Sequence, residues 1–328
     1  MRKILGTVIV GCISGILLLA NSAVQADANQ SYPGDFEILS HNVYMMSQAI
    51  YPNWGQNQRA ELISDADYVQ NHDVIIFNEL FDNEASGILL DGIRKQYPYQ
   101  TPVLGRSTKG WDETTGNYSH AASEDGGVSI VSKWPIAEQI QHVFKDGCGV
   151  EALSNKGFIY IKIMKNNEPY HVIGTHVQST DETLCSQGEP AKIRASQMNE
   201  IKSFISKKHI PEDEVVFIGG DLNAMKQTNE YGAMLQNLNV SEPDNYKGFN
   251  ATWDPTSNSI ANENYPDLNG QHLDYVFIER NHAQPNHWEI ETKKVKSPVW
   301  SVTSWGQTYK YNDYSDHYPV IGTTKSSE

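Results

Sequence analysis

Cysteine is scarce, with three in 328 residues, and no cluster of Cys and His suggests a structural zinc site. Charge is scarce too. Only 20% of residues are Asp, Glu, Lys or Arg, and the cations are the fewer, 25 against 40, for a net charge of −15. A chain so weakly charged, with 39% apolar residues, is too apolar for intrinsic disorder. The shortage of cations, with no extended Lys/Arg run, argues against a nucleic-acid binder, because phosphate contacts supply most of such affinity. Nothing along the chain reads as an internal repeat, a low-complexity tract or a linker. The length allows about two domains, but layered α/β folds reach this size as one.

The one long apolar stretch lies at the start. Arg2 and Lys3 precede Ile4–Ala20, which is apolar or small throughout, and Val24-Gln25-Ala26 is a small-residue cleavage pattern. This predicts a secretory signal peptide over residues 1–26, with an uncleaved membrane anchor as the alternative. Cleavage leaves residues 27–328 as a soluble, secreted protein and, by removing Arg2 and Lys3, takes the net charge from −15 to −17. Cys12 leaves as well. Cys148 and Cys185 remain, and two cysteines in an exported protein are most simply one disulfide, two separate buried thiols being the other reading.

Short apolar, β-branched runs predict strands at Phe36–Tyr44, Asp73–Asn78, Gly127–Val131, Gly157–Met164, Tyr170–Val177, Val215–Gly219, Leu273–Ile278 and Tyr318–Ile321. Helical spacing falls between them at Arg59–Val69, Ala85–Lys95, Ile193–Ile205 and Asn229–Leu238. Strands and helices alternate along the whole chain, which predicts one layered α/β domain. Val299–Tyr311 alternates about a turn and reads as a β-hairpin with Ser304-Trp305-Gly306-Gln307 at its tip.

Polar residues gather at strand ends. Asn42 lies at the end of the first strand, Glu79 follows Val74–Asn78, His176 follows the Tyr170 strand, and Asp221 and Asn223 follow Val215–Gly219. Asp274 opens the Tyr275 strand, and Asp316 and His317 precede Tyr318. Any one of these has an ordinary explanation, since polar residues commonly end strands and begin turns. Six strands ending in carboxylates, amides and imidazoles suggest instead that the sheets assemble an oxygen-rich pocket with two histidines. Mg²⁺ prefers few carboxylates and keeps several waters. Either histidine is suited to acid–base work or to metal binding, and spacing does not decide between these.

At these residues the chain resembles the endonuclease/exonuclease/phosphatase superfamily of Mg²⁺-dependent phosphoesterases. Asn42, Glu79, Gly220-Asp221-Leu222-Asn223, Leu273-Asp274-Tyr275 and Ser315-Asp316-His317 appear in that superfamily's order. It is similar, more narrowly, to the bacterial secreted neutral sphingomyelinases, which include haemolytic phospholipases C and beta-toxin. The stretches that carry this are Leu39–Tyr44, Glu124–Val128, Gly174–Gln178 and Tyr311–Pro319, and the Cys148–Cys185 pair matches that group's single disulfide.

The resemblance implies a single-domain four-layer α/β sandwich, two central mixed β-sheets flanked by helices, with a protruding aromatic hairpin. It implies hydrolysis of sphingomyelin to ceramide and phosphocholine by a monomeric, haemolytic virulence factor that needs Mg²⁺ or another divalent cation such as Mn²⁺ or Co²⁺. Carried over by motif, Glu79 and Asn42 bind the metal, Asp221 and Asn223 position metal, water and phosphate, and His317 is general base or metal ligand. Asp274 orients His317, Asp316 supports the metal–water network, and His176 hydrogen-bonds the phosphate and can protonate the leaving oxygen. A second metal at the edge of the site corresponds to Phe81, Asn83, Glu124 and Asp125; an acidic turn before a strand is the plainer reading of the last two. The hairpin tip, Trp305 and Gly306, corresponds to a membrane contact in which relatives often carry two adjacent aromatics; Gly306 departs from that. A nuclease on the same scaffold and a non-catalytic membrane-binding toxin are the competing functions; the acid excess disfavours the first and the complete polar set the second.

Overall fold

The computed structural model describes residues 35–180 and 183–325; the expected signal peptide at 1–26, with Cys12, lies outside them. In chain order the elements are β1 (Glu37–Asn42), α1 (Gln56–Asp65), β2 (Val74–Asn78), α2 (Asn83–Ile93), β3 (Tyr99–Gln100), β4 (Glu113–Gly116), β5 (Ser129–Ser132), β6 (Ile136–Val143), β7 (Gly157–Lys165) and β8 (Glu168–His176). They continue with α3 (Glu189–Lys208), β9 (Val215–Asp221), α4 (Asn229–Leu238), β10 (Val240–Ser241), β11 (Asn245–Gly248), α5 (Ser259–Asn264), β12 (Asp274–Glu279), β13 (Glu289–Thr292), the hairpin strands β14 (Trp300–Ser304) and β15 (Gln307–Tyr311), and β16 (Val320–Thr323).

Two seven-stranded mixed sheets form, in the orders β11-β13-β16-β1-β2-β5-β3 and β10-β12-β9-β8-β7-β6-β4. The reason is visible in β2. Its Val-Ile-Ile-Phe run is buried on both faces. Val74 and Ile76 point into the core between the sheets, while Ile75 and Phe77 point outward to Ala60 and Ile63 of α1 and to Ala85 and Leu89 of α2. On the second sheet, Met198, Ile201 and Ile205 of α3 and Met234 and Leu238 of α4 join the main core. A strand buried on both faces needs helices outside the sheet pair, which gives the four layers. Glycine lets the sheets pack closely here: a Cβ on Gly174 would stand 2.9 Å from Ile76 Cγ2.

The eight expected strands all form, with ends shifted by a few residues, as element boundaries commonly are. The helices differ more. The Arg59–Val69 expectation resolves into α1 and a separate 3₁₀ turn, Asp67–Val69. α3 begins earlier than Ile193 because Gly188, in left-handed conformation, leads into a first turn containing Pro190. Asp82 caps α2 by accepting from the backbone N–H groups of Glu84 and Ala85. The hairpin forms where expected and pairs Ser304 with Gln307. Trp305 and Gly306 both have positive φ, 50° and 75°, the arrangement of a type I′ turn. That is why glycine occupies the second tip position. Cys148 and Cys185 are joined as a disulfide. Among the described residues no helix is long and apolar enough to cross a membrane.

Candidate active site

β1 and β2 run parallel, as do β8 and β9, while β12 is antiparallel to β9 and β16 antiparallel to β1. The carboxyl ends of the first four strands therefore meet the amino ends of the other two. The register puts Asn42 beside Asn78, and Asp221 beside both His176 and Asp274. Gly220, one residue earlier, has φ +139° and lies so close to Thr175 that a Cβ would fall 1.8 Å from its carbonyl oxygen. Only glycine can lead Asp221 into place there.

The two sheets are bonded to each other at this end. Asn42 Nδ2 donates to Glu79 Oε1 at 2.9 Å and to Asp221 Oδ2 at 3.1 Å. His176 Nε2 lies 4.0 Å from Glu79 Oε1 and 3.7 Å from Asp221 Oδ2. His317 Nε2 stands 3.8 Å from the same Asp221 oxygen, and its Nδ1 is 2.8 Å from Asp274 Oδ2. Asn223 donates its backbone N–H to Asp221 Oδ1 and its side-chain amide to the Val177 carbonyl. Ser315 Oγ donates to the Asn42 carbonyl at 2.7 Å and reaches Asp316 Oδ1 at 3.2 Å. Glu79 and Asn223 both sit in left-handed backbone conformation, φ 61° and 47°. Such strain persists where surrounding structure imposes it, and it gathers at functional sites.

So many acids in so little water cannot all hold charge. Burial, with Asp316 adding to it, pushes Glu79 up to about 7. Burial and then Asp274 push Asp221 up to about 7. Burial would lower His317, but the Asp274 and Asp316 carboxylates outweigh it and raise the ring well above its ordinary value. Burial, aided by Lys156 and His317, drives His176 well below its own. Glu79 Oε2 and Asp274 Oδ1 are buried without any hydrogen-bond partner. Carboxylate and amide oxygens without thiolate, crowded until their pKa values rise and with an oxygen left unbonded, fit a hard divalent cation. Glu79, His176 and Asp221 can converge on one ion, as can Asp221, Asp274 and His317.

All the residues expected at the centre are brought together. At the edge, Phe81, Asn83 and Glu124 line one cleft of about 500 Å³. Asp125 instead uses its Oδ2 on Arg106 Nε at 2.8 Å and its Oδ1 on the Gly127 N–H at 2.9 Å.

Several supporting residues escaped the reading of the sequence. Arg59, fully buried on α1, donates to the carbonyls of Val43, Tyr44, Trp54 and Tyr314, tying together the segments next to Asn42 and Asp316. Thr252 Oγ1 accepts from the backbone N–H groups of Leu273 and Asp274. Asn78 accepts from the Asp221 N–H and donates to the Thr175 carbonyl. The carbonyl of His317 faces His41 Nε2 at 3.1 Å, and His41 Nδ1 meets the Tyr68 hydroxyl. None of them carries a distinct signal in the sequence.

The pattern of the Endonuclease/Exonuclease/phosphatase family matches residues 39–317. Sphingomyelinase C of Listeria ivanovii is 55% identical over 304 residues, covering 93% of this chain and 90% of that one. A sphingomyelinase C of Bacillus cereus is 51% identical over 313 residues, with 93% of each chain covered. The crystal structure of a mutant beta toxin from Staphylococcus aureus with bound magnesium ions has a TM-score of 0.88 at 55% identity, covering 89% of this chain and 100% of that one. The chain belongs to the endonuclease/exonuclease/phosphatase family, in its group of bacterial sphingomyelinases C and beta toxin.

Proposed function

We propose that this protein is a secreted, Mg²⁺-dependent sphingomyelin phosphodiesterase that releases phosphocholine and leaves ceramide in the membrane. The observation that carries the reading is the His317–Asp274 pair, 2.8 Å apart, aimed at the crowded Glu79–Asp221 oxygens. It is joined by identity of 51–55% to enzymes named for this reaction.

Each residue has a definable part. Asp274 accepts from His317 Nδ1 and so fixes the tautomer that leaves Nε2 free to take a proton from water. Asp221 and Asn223 position that water and the phosphate, with Asn42 anchoring Asp221 across the sheets. A neutral His176 offers one N–H to a phosphate oxygen; its low basicity suits hydrogen bonding better than proton transfer to the leaving oxygen. Asp316 raises the proton affinity of His317. Glu79, with Asn42, would hold the cation, and the cation supplies polarisation of the phosphate and of the attacking water. Hydrolysis then forms one water-oxygen bond to phosphorus and breaks the bond to the ceramide oxygen, which takes up a proton.

Residues 1–26 direct export, and residues 27–328 act as a monomer. The Trp305 tip meets the bilayer, where an indole suits the interface. The Phe81, Asn83 and Glu124 cleft takes a second cation, with Asp125 reaching it once Arg106 moves aside. A zwitterionic lipid imposes no repulsion on so acidic a protein, as a nucleic acid would.

The test is phosphocholine release from vesicles of sphingomyelin and of phosphatidylcholine, with Mg²⁺ and with EDTA. Release from sphingomyelin that EDTA abolishes is expected. Release untouched by EDTA, or plasmid cleavage at a matching rate, would overturn the reading.

A further inference from the structure

Single exposed apolar side chains are ordinary on a protein surface. Here their distribution is one-sided. Among the described residues, every large hydrophobic side chain that stands exposed, Tyr99 excepted, lies in a connection at the strand ends that carry the site. The hairpin accounts for Val299 and Trp305 only.

A second set belongs to the other sheet. β6 and β8 are both antiparallel to β7, so both leave the sheet at the end where His176 closes β8. After β6, the 3₁₀ turn Gly149–Leu153 holds Val150 and Leu153 out at 64% and 62% exposure. After β8, Leu184 is 62% exposed. The two connections are pinned to each other. The Cys148–Cys185 disulfide joins them, the Cys148 N–H donates to Gln178 Oε1 at 2.9 Å, and the Ser179 N–H donates to Glu151 Oε2 at 3.1 Å. Three aliphatic side chains are thus fixed in water on a braced ledge, and water is the costliest place for them.

Resting on the reading of the preceding subsection, we propose that Val150, Leu153 and Leu184 are a second lipid-contacting patch that enters the headgroup region of a zwitterionic bilayer alongside the hairpin. A lipid whose scissile phosphate lies at the bilayer surface requires this end of the molecule to abut that surface. The patch continues that face from the second sheet, as the hairpin does from the first. Its chemistry is aliphatic rather than basic, which fits a neutral surface and not an anionic one. Two contacts, one from each sheet, fix the tilt of the site over the membrane as a single hairpin cannot.

The experiment compares the full chain with the triple variant V150S/L153S/L184S. Turnover is measured on sphingomyelin vesicles and on a short-chain sphingomyelin below its micellar concentration. Vesicle co-flotation is measured in EDTA, where turnover is silent. The expected result is about tenfold weaker flotation and vesicle turnover, with hydrolysis of the monomeric substrate unchanged. Wild-type flotation and vesicle turnover in the variant would overturn the proposal. So would an equal loss on both substrates, which would place the patch in support of the site itself. A wild-type dimer that the variant dissociates, with flotation intact, would make the patch a seam between copies instead. Failure of the wild type on both substrates would sink the sphingomyelinase reading, while flotation would still report on the patch.

Discussion

Glu37 opens β1 and Asn42 closes it, and the two ends of that strand treat charge differently. At the opening end Glu37 Oε1 meets His72 Nδ1 at 2.6 Å, Asp73 meets Lys165 at 2.9 Å, and Glu214 meets both His171 and Lys162. The hydrogen bond from His72 holds the Glu37 carboxyl below its ordinary range. At the closing end, no Lys or Arg forms an ion pair with Glu79, Asp221, Asp274 or Asp316 among the described residues, and two carboxylate oxygens have no hydrogen-bond partner. The residue types are alike. Matched charge marks the end that holds the fold together, and unmatched charge the end left incomplete without a cation.

The largest expected effect breaks that contrast at its centre. Glu79→Gln should lower phosphocholine release by about 10³-fold or more, because it removes the carboxylate with the unpaired oxygen from the cation's site. In EDTA at pH 8 the same variant should melt no lower than the wild type, since Gln keeps an oxygen to accept from Asn42 while burial of the carboxylate's unmatched charge is a cost. A variant with a tenth of wild-type activity, or one that melts well below it, would show that Glu79 is structural.

Asp274→Asn tests the orienting pair. With the tautomer of His317 no longer fixed, turnover should fall about 10²-fold while Mg²⁺ affinity changes little. A parallel loss of metal affinity would assign Asp274 to the cation instead.

How much of this was legible in the sequence depends on burial. The strands that run through the centre of each sheet are rich in buried apolar residues, and each was recognisable. β6 (Ile136–Val143) and β13 (Glu289–Thr292) were not, because polar residues such as Gln139 and Glu291 interrupt the run. The site residues were legible as acids, amides and imidazoles at strand ends. Arg59 and Thr252 were not, because their partners are backbone groups, and those of Thr252 are about twenty residues distant in sequence. A backbone partner leaves no trace in residue type.

At the closing end, on the second sheet, stands the Cys148–Cys185 bond, which closes a loop with a sequence separation of 37. Replacing both cysteines by Ala should cost about 2–4 kcal/mol in urea denaturation. It should leave hydrolysis of a monomeric substrate near the wild-type rate, because neither cysteine touches the site. A cost below about 0.5 kcal/mol would mean that loop closure is carried by the Gln178 and Ser179 hydrogen bonds.

The pH response distinguishes the ends by sign. Glu79 and Asp221 are raised to about 7 in the metal-free fold, and His317 is raised as well. Groups raised on folding stabilise most below their unfolded pKa values, and that stability is lost as pH climbs through the folded ones. Buried His41, His171, His176 and His272 are lowered on folding and act in the opposite sense, so the quantity to measure is the wild-type melting temperature in EDTA minus that of Glu79→Gln, in which they cancel. That difference should fall between pH 5 and pH 8, and added Mg²⁺ should stabilise the wild type more at pH 8 than at pH 5. A difference that rises across that range would contradict the crowded-acid account.

Glu37→Gln is the converse, and the smallest effect. Glu37 is lowered on folding, so its contribution is present above the ordinary Glu range and disappears as pH falls through the folded value. The pair is partly open to solvent, with Glu37 22% exposed, so screening keeps the cost to about 1 kcal/mol or less. Catalysis should be unaffected, because the pair sits at the far end of β1 from Asn42. The variant should match the wild type at pH 3 and lie below it at pH 7, whether or not Mg²⁺ is present. A loss that Mg²⁺ could reverse would mean that the two ends of the strand are coupled, and that charge matching at one depends on the cation at the other.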